Sequence, residues 1–253
     1  MNRTREKTKV ENRLASFVEA NERILGWLAQ IISSRFGKPP LQDRKIVAFA
    51  GPGCVGKSTL AEALSGILRG QFSYESDWID LDGYLIEKAK RETPDRIITG
   101  YNPKGFELAK AERDLKNWLS TGEPFVIRVY DKVTSRRDAT RRVRARDALV
   151  IEGVCAFNEA LLPLSAFRIF LTATKEIQYA NRRRREVIEM GRSLEQIEEK
   201  FRHLYPDYER YVLPTKRFAD LVLRVEENYR LARVEEDTVS LDEVEGCSGE
   251  STG

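Results

Sequence analysis

The chain has 253 residues, 41% hydrophobic and 33% charged, and its net charge of +3 does not argue for a nucleic-acid or membrane-surface partner. Three cysteines without metal spacing and one histidine, His203, argue against a histidine-based metal site or triad. With no apolar run long enough to cross a bilayer and no signal-like N-terminus, a reduced, cytoplasmic protein is expected.

Within residues 1–44, Leu14, Phe17, Val18, Ile24, Leu25, Leu28, Ile31 and Ile32 recur at helical spacing. They predict an amphipathic helix from about Glu11 to Arg35, ended by Gly37-Lys38-Pro39-Pro40. Its apolar face either packs on the rest of the chain or serves a homo-oligomer.

An apolar strand, Ile46-Val47-Ala48-Phe49-Ala50, then leads into Gly51-Pro52-Gly53-Cys54-Val55-Gly56-Lys57-Ser58. This is a complete G-x-x-x-x-G-K-S pattern, and Thr59-Leu60-Ala61-Glu62-Ala63-Leu64 continues it as a helix. Backbone N–H groups of such a loop converge into an anion nest, and the helix N-terminus adds its own. Glycine is needed where the backbone approaches phosphate or takes positive φ. Residues Gly51, Gly53, Cys54, Val55, Gly56, Lys57, Ser58 and Thr59 are therefore the candidate cradle. Lys57 is placed to reach the β- and γ-phosphates of a nucleotide, and the Ser58 hydroxyl to ligate Mg²⁺.

Further strands are predicted at 77–81, 125–130, 147–152, 168–172 and 220–225, and helices at 57–68, 106–119, 175–190 and 194–209. Such alternation implies an α/β fold of three layers, a parallel sheet covered on both faces. Ligands then gather at the carboxyl ends of the strands, where the loop, Asp82, Tyr130 and Glu152 all fall. Residues 83–105 and 131–146 read as insertions. The second is an arginine-rich hairpin carrying Arg136, Arg137, Arg141, Arg142, Arg144 and Arg146. Residues 231–253 read as a tail, acidic and Ser/Gly-rich from Glu235, and disorder is expected there.

Three features carry chemistry. Asp82 follows Trp78-Ile79-Asp80-Leu81 and either orients a hydroxyl or merely bonds its own turn. Glu152 ends Ala148-Leu149-Val150-Ile151, a buried-strand pattern that brings a carboxylate towards a metal. Arg182 and Arg185, three apart, share a helix face and form either a phosphate clamp or a solvated basic stripe.

Taken in order, these strings resemble the uridine kinase and phosphoribulokinase group of phosphate-loop kinases. The resemblance runs from Ile46 to Val225. It includes Asp82-Gly83-Tyr84-Leu85, Pro103-Lys104-Gly105-Phe106-Glu107, Val129-Tyr130-Asp131, Val150-Ile151-Glu152-Gly153 and Arg182-x-x-Arg185-Glu186. Gly191-Arg192-Ser193-Leu194 and Pro214-Thr215-Lys216-Arg217-Phe218-Ala219-Asp220 complete it. The Asp82 turn is also similar to that of bacterial pantothenate kinases.

The resemblance implies an ATP- and Mg²⁺-dependent phosphate-loop kinase domain over 45–230 with a helical lid, an N-terminal extension over 1–44, and a small-molecule acceptor. It makes Asp82 the base, Lys57, Arg182 and Arg185 catalytic, and Ser58 and Glu152 the Mg²⁺ site. Tyr84, Tyr101, Tyr130, Lys132, Arg137 and Arg192 become acceptor candidates. The chain departs from uridine kinases at Lys132 and Ser135, where that group places an aromatic residue and a pyrimidine-reading histidine. Tyr101 falls where the group has an acidic residue for the ribose. An acceptor other than a nucleoside is expected, and Lys132, Arg136 and Arg137 suggest an anionic one. Uridine or cytidine is the alternative. A regulatory NTPase or a nucleic-acid binder is the alternative of another class. Against the first, Thr174-Lys175-Glu176-Ile177 lacks the aspartate of a guanine reader.

Overall fold

Apolar stretches form the centre of the fold and charged insertions its rim. In the computed structural model the described residues are 2–93 and 95–234, with side chains from Asn12 onward except Arg13. The expected acidic tail from Glu235, Cys247 included, lies outside them. The elements are α1 (Asn2–Phe36), β1 (Lys45–Ala50), α2 (Lys57–Phe72), β2 (Ser76–Asp80), α3 (Lys88–Arg91), β3 (Glu92–Thr93) and β4 (Arg96–Ile97). Then come α4 (Leu108–Thr121), β5 (Phe125–Asp131), β6 (Arg136–Val143), β7 (Ala148–Glu152) and β8 (Phe167–Thr172). Last are α5 (Lys175–Met190), α6 (Leu194–Asp207), β9 (Leu221–Val225) and β10 (Leu231–Arg233).

The main sheet has the order β10-β9-β8-β1-β7-β2. All its pairings are parallel except β10 on β9. Side chains alternate across β1: Ile46, Ala48 and Ala50 join one apolar cluster with Leu115 and Trp118 of α4. Val47 and Phe49 join the other, with α1 and α2. A sheet buried on both faces requires apolar residues at every position, and β7 is buried throughout.

The N-terminal helix packs on the domain. Leu25, Leu28, Ala29 and Ile32 are fully buried in the second cluster. Asn21 leaves helical geometry (φ −126°, ψ 15°) and kinks α1. Its Nδ2 donates to the Phe17 and Tyr229 carbonyls at 2.9 and 3.1 Å, and its Oδ1 accepts from the Leu231 amide at 2.7 Å. The strand Leu231–Arg233 thus belongs to the sheet edge, although it lies in the stretch expected to be tail.

Residues 125–130 do not enter the parallel sheet. They form β5, which pairs antiparallel with β6 in a separate ribbon. The reason lies in their burial: only Ile127 of β5 is buried, whereas an inner parallel strand must be apolar on both faces. The expected arginine hairpin is therefore β5 and β6 together. Arg141 anchors it to the main sheet by donating to the Trp78 carbonyl and the Asp77 carboxylate of β2.

Helices α5 and α6 meet at Gly191 (φ 62°), which ends α5 in left-handed geometry. Ser193 and Gln196 then make a reciprocal capping box that starts α6.

Candidate active site

The loop after β1 has the backbone its glycines permit. Gly51 takes φ +136°, and a Cβ there would strike the Leu171 carbonyl of β8. Cys54 (φ 66°) and Gly56 (φ 86°) are also left-handed, and Gly56 caps α2. The Lys57 ammonium folds back and donates to the Pro52 carbonyl at 2.7 Å. Burial lowers its pKa, and the neighbouring Glu152 and Asp82 carboxylates oppose that shift.

Three carboxylates converge from two strand ends. Asp80 closes β2, and its Oδ1 accepts the Asp82 amide at 2.8 Å, which starts the 3-10 turn Leu81–Tyr84. Asp82 keeps 22% of its side chain exposed towards the cleft. The Lys132 ammonium, from the turn between β5 and β6, lies 3.1 Å from Asp80 Oδ2 and 3.4 Å from Asp82 Oδ2. Glu152 ends β7, is buried, and accepts from Ser58 Oγ at 2.5 Å. Burial first, and the nearby Asp80 second, raise the pKa of Asp82 and push that of Glu152 up to about 8. Asp80 above all raises the Lys132 ammonium's pKa.

Excess negative charge beside the Ser58 hydroxyl suits a divalent cation. Among the described residues no three carboxylate, thiol or imidazole groups are close enough to hold one alone. A cation here would therefore take Ser58, Glu152 and oxygens from a phosphate ligand, the habit of Mg²⁺.

The lid reaches the loop through Arg182. Its Nη2 donates to the Tyr101 hydroxyl at 3.3 Å, and the Gly53 amide donates to the same oxygen at 2.7 Å. Its Nη1 donates to Glu186 Oε1 at 2.9 Å. Glu186 is fully buried and also accepts from Arg192 at 2.5 Å and Lys200 at 2.9 Å. Arg185 keeps a buried Nε with no hydrogen-bond partner, as Arg182 does.

The expected acceptor residues divide. Lys132 and Tyr101 border the carboxylates and the loop. Tyr130 is half-buried, and its hydroxyl accepts from Arg91 at 3.4 Å. Tyr84 does not open to the cleft: it is buried, and its hydroxyl donates to Asp114 of α4 at 3.0 Å. Arg137 is buried, paired with Glu107 and donating to the Gly83 carbonyl at 3.3 Å. Arg192 is tied to Glu186. Lys132 and Arg137, the cations offered to an anionic acceptor, thus already face carboxylates, and Arg136 lies exposed beside Asp138.

Sequence reasoning left Asp80 and Glu186 without roles. Asp80 was visible as the acid two residues before Asp82. Glu186 was visible as the acid beside Arg185, four residues from Arg182.

Phosphate loop, strand-end carboxylates and an arginine-bearing lid on a parallel sheet define a phosphate-loop kinase, a phosphotransferase acting on a hydroxyl group. Residues 46–232 match the Phosphoribulokinase / Uridine kinase family, and the chain belongs to it. A uridine kinase of Streptococcus uberis is 30% identical over 182 residues, 70% of this chain and 85% of that protein. Two solved structures share the fold. The D-glycerate 3-kinase of Cryptococcus neoformans var. grubii has a TM-score of 0.65 at 12% identity, covering 84% of this chain and 98% of that one. The phosphoribulokinase of Rhodobacter spheroides has a TM-score of 0.58 at 17% identity, covering 76% and 75%.

Proposed function

We propose that the protein transfers the γ-phosphoryl group of ATP to a hydroxyl of a small, neutral polyhydroxy metabolite. The observation that carries this reading is Asp82, mostly buried with 22% of its side chain exposed, close enough to the Lys57 ammonium of the phosphate loop to feel its charge. An acceptor hydroxyl placed between the two has a base on one side and the phosphoryl group on the other. Its oxygen bonds to phosphorus as the bond from phosphorus to the β,γ-bridging oxygen breaks. The hydroxyl proton passes to the Asp82 carboxylate, and ADP leaves.

Lys57, Arg182 and Arg185 hold the charge that spreads over the transferring group. The loop amides cradle the phosphates, apart from that of Gly53, which donates to the Tyr101 hydroxyl. Ser58 and Glu152 would hold Mg²⁺, which supplies positive charge to the phosphate oxygens when bound. The Lys132 ammonium lies against both Asp80 and Asp82 and opposes the rise in the Asp82 pKa.

The neutral acceptor follows from pairing. Lys132 and Arg137 are already opposed by carboxylates, so an anion would have to displace one of them. Uridine is the competing acceptor, supported by the named activity of the relatives. Against it stand Lys132 and Ser135, which offer neither an aromatic face nor an imidazole. A site built to bond a polar group discriminates by about 10⁴-fold on that pairing, and Lys132 and Ser135 do not supply it for a pyrimidine.

The test is ADP release from Mg-ATP with uridine, cytidine, pantothenate, glycerate, pentoses and pentose phosphates. Turnover dominated by a neutral pentose or similar polyol supports the reading. Turnover dominated by uridine or by an anionic acceptor overturns the acceptor class, and no acceptor-dependent release with any of them counts against the kinase reading.

A further inference from the structure

Tyr101 stands where the loop, the lid and the segment after β4 meet. It is 7% exposed, and its ring packs on Tyr208 with centroids 6.0 Å apart. Its amide donates to Thr99 Oγ1 at 3.1 Å, and that hydroxyl donates to Asp207 Oδ2, at the end of α6, at 2.6 Å. Ring and backbone are both held.

The hydroxyl oxygen accepts twice, from the Gly53 amide and from Arg182 Nη2. A phenol oxygen has two lone pairs and one proton. Both lone pairs are occupied, and no hydrogen bond takes the proton to an acceptor among the described residues. A buried donor left unmade costs free energy, so a missing acceptor is expected at that point.

Its place along the loop follows from Lys57. The lysine of a phosphate loop serves the β- and γ-phosphates, and here its ammonium lies on the Pro52 carbonyl, the residue before Gly53. The Gly53 corner is therefore the γ end. A Cβ on Gly53 would come within 2.9 Å of the Tyr101 hydroxyl and 3.1 Å of Arg182 Nη2, so both groups press on that corner. Burial raises the phenol's pKa and keeps the proton in place.

We propose that the Tyr101 hydroxyl donates a hydrogen bond to an oxygen of the transferring phosphoryl group, making Tyr101 a catalytic residue beside Arg182. The inference rests on the kinase reading above. No covalent step passes through the phenol. It is a fixed donor, oriented by the Gly53 amide and the lid arginine, and it favours charge that develops on the phosphoryl oxygens.

Tyr101→Phe removes the hydroxyl and leaves the ring packing. Calorimetry of the full chain with Mg-ADP, and with Mg-ADP plus aluminium fluoride as a phosphoryl mimic, reads the effect without knowledge of the acceptor. The expected result is Mg-ADP affinity within about twofold of the native protein and a loss of roughly 10- to 100-fold for the fluoride complex, the value of one hydrogen bond to a charged group. Equal affinities for the fluoride complex would overturn the proposal. So would a rise in Mg-ADP affinity, which would make Tyr101 a plug on the Gly53 amide. If Tyr101→Phe fails to fold, 3-fluorotyrosine at position 101 keeps the shape and makes the donor more acidic. The proposal then requires fluoride-complex affinity to change while Mg-ADP affinity does not, and no change overturns it. A native protein that binds no Mg-ADP sinks the kinase reading and this inference together; native binding with an indifferent variant sinks this inference alone.

Discussion

At the scale of single residues, the site is a small set of charges held close by burial. Asp82→Asn preserves the shape of the carboxylate and removes the proposed proton acceptor. Nucleotide affinity should stay nearly native while turnover falls about 10²- to 10⁴-fold; equal turnover, measured by ADP release, would remove Asp82 as base. Lys132 has a separate readout. Burial and Asp80 raise the Asp82 pKa, and the Lys132 charge lowers it. Lys132→Met should therefore move the acid limb of the turnover profile to higher pH, and an unmoved limb would show that the ammonium does not govern the base. The loop residues were legible because the G-x-x-x-x-G-K-S spacing dictates backbone shape directly. Lys132 was legible as a departure from uridine kinases but not as the partner of Asp80 and Asp82. That pairing depends on where the turn between β5 and β6 lands, which no local pattern encodes.

At the scale of elements, the lid is organised around one buried carboxylate. Glu186 faces Arg182, Arg192 and Lys200, and its pKa falls to about 2 although burial opposes the shift. Lys200 shifts down as well, to about 8, because burial and the two guanidinium groups outweigh its single carboxylate. Glu186 is the secure charge of the pair, since three cations serve it. Glu186→Gln leaves those cations without their counter-ion and should cost about 3–5 kcal/mol of stability, read by chemical denaturation. Its pH dependence has a definite sign. A depressed carboxylate stabilises above its ordinary pKa, so the native lid should lose this contribution as pH falls from 4.5 towards about 2, and the Gln variant should show a smaller loss there. Helices α5 and α6 were read within two residues because Thr174, Gly191 and Ser193 are local stop and start signals. β5 was misplaced because a half-buried ribbon strand and a short sheet strand share the same alternation over six residues.

At the scale of the whole molecule, the strand order brings β1, β7 and β2 side by side and so sets the loop, Glu152, and Asp80 with Asp82 at the carboxyl ends of three adjacent strands. The strand–helix alternation made that parallel sheet legible, but the edge strand β10 escaped notice because three residues carry no periodicity. The tie between α1 and β10 is the Asn21 side chain, buried and bonded at both of its polar atoms. Asn21→Ala should cost about 1–3 kcal/mol, since the Leu231 amide loses its acceptor. Hydrogen exchange at Leu231 should quicken in step, and unchanged protection there would show that β10 holds its place without the tie.

The same tie bears on how the molecule is made. Asn21 and Leu231 are 210 positions apart, so the asparagine leaves the ribosome long before its partner is translated. Through that interval the kinked turn of α1 has only a local bond to the Phe17 carbonyl, and the second apolar cluster lacks Leu223, Val225 and Leu231. The nascent chain therefore carries a complete phosphate-loop sequence on an unfinished sheet, and the final edge closes only after nearly all of the domain has been synthesised.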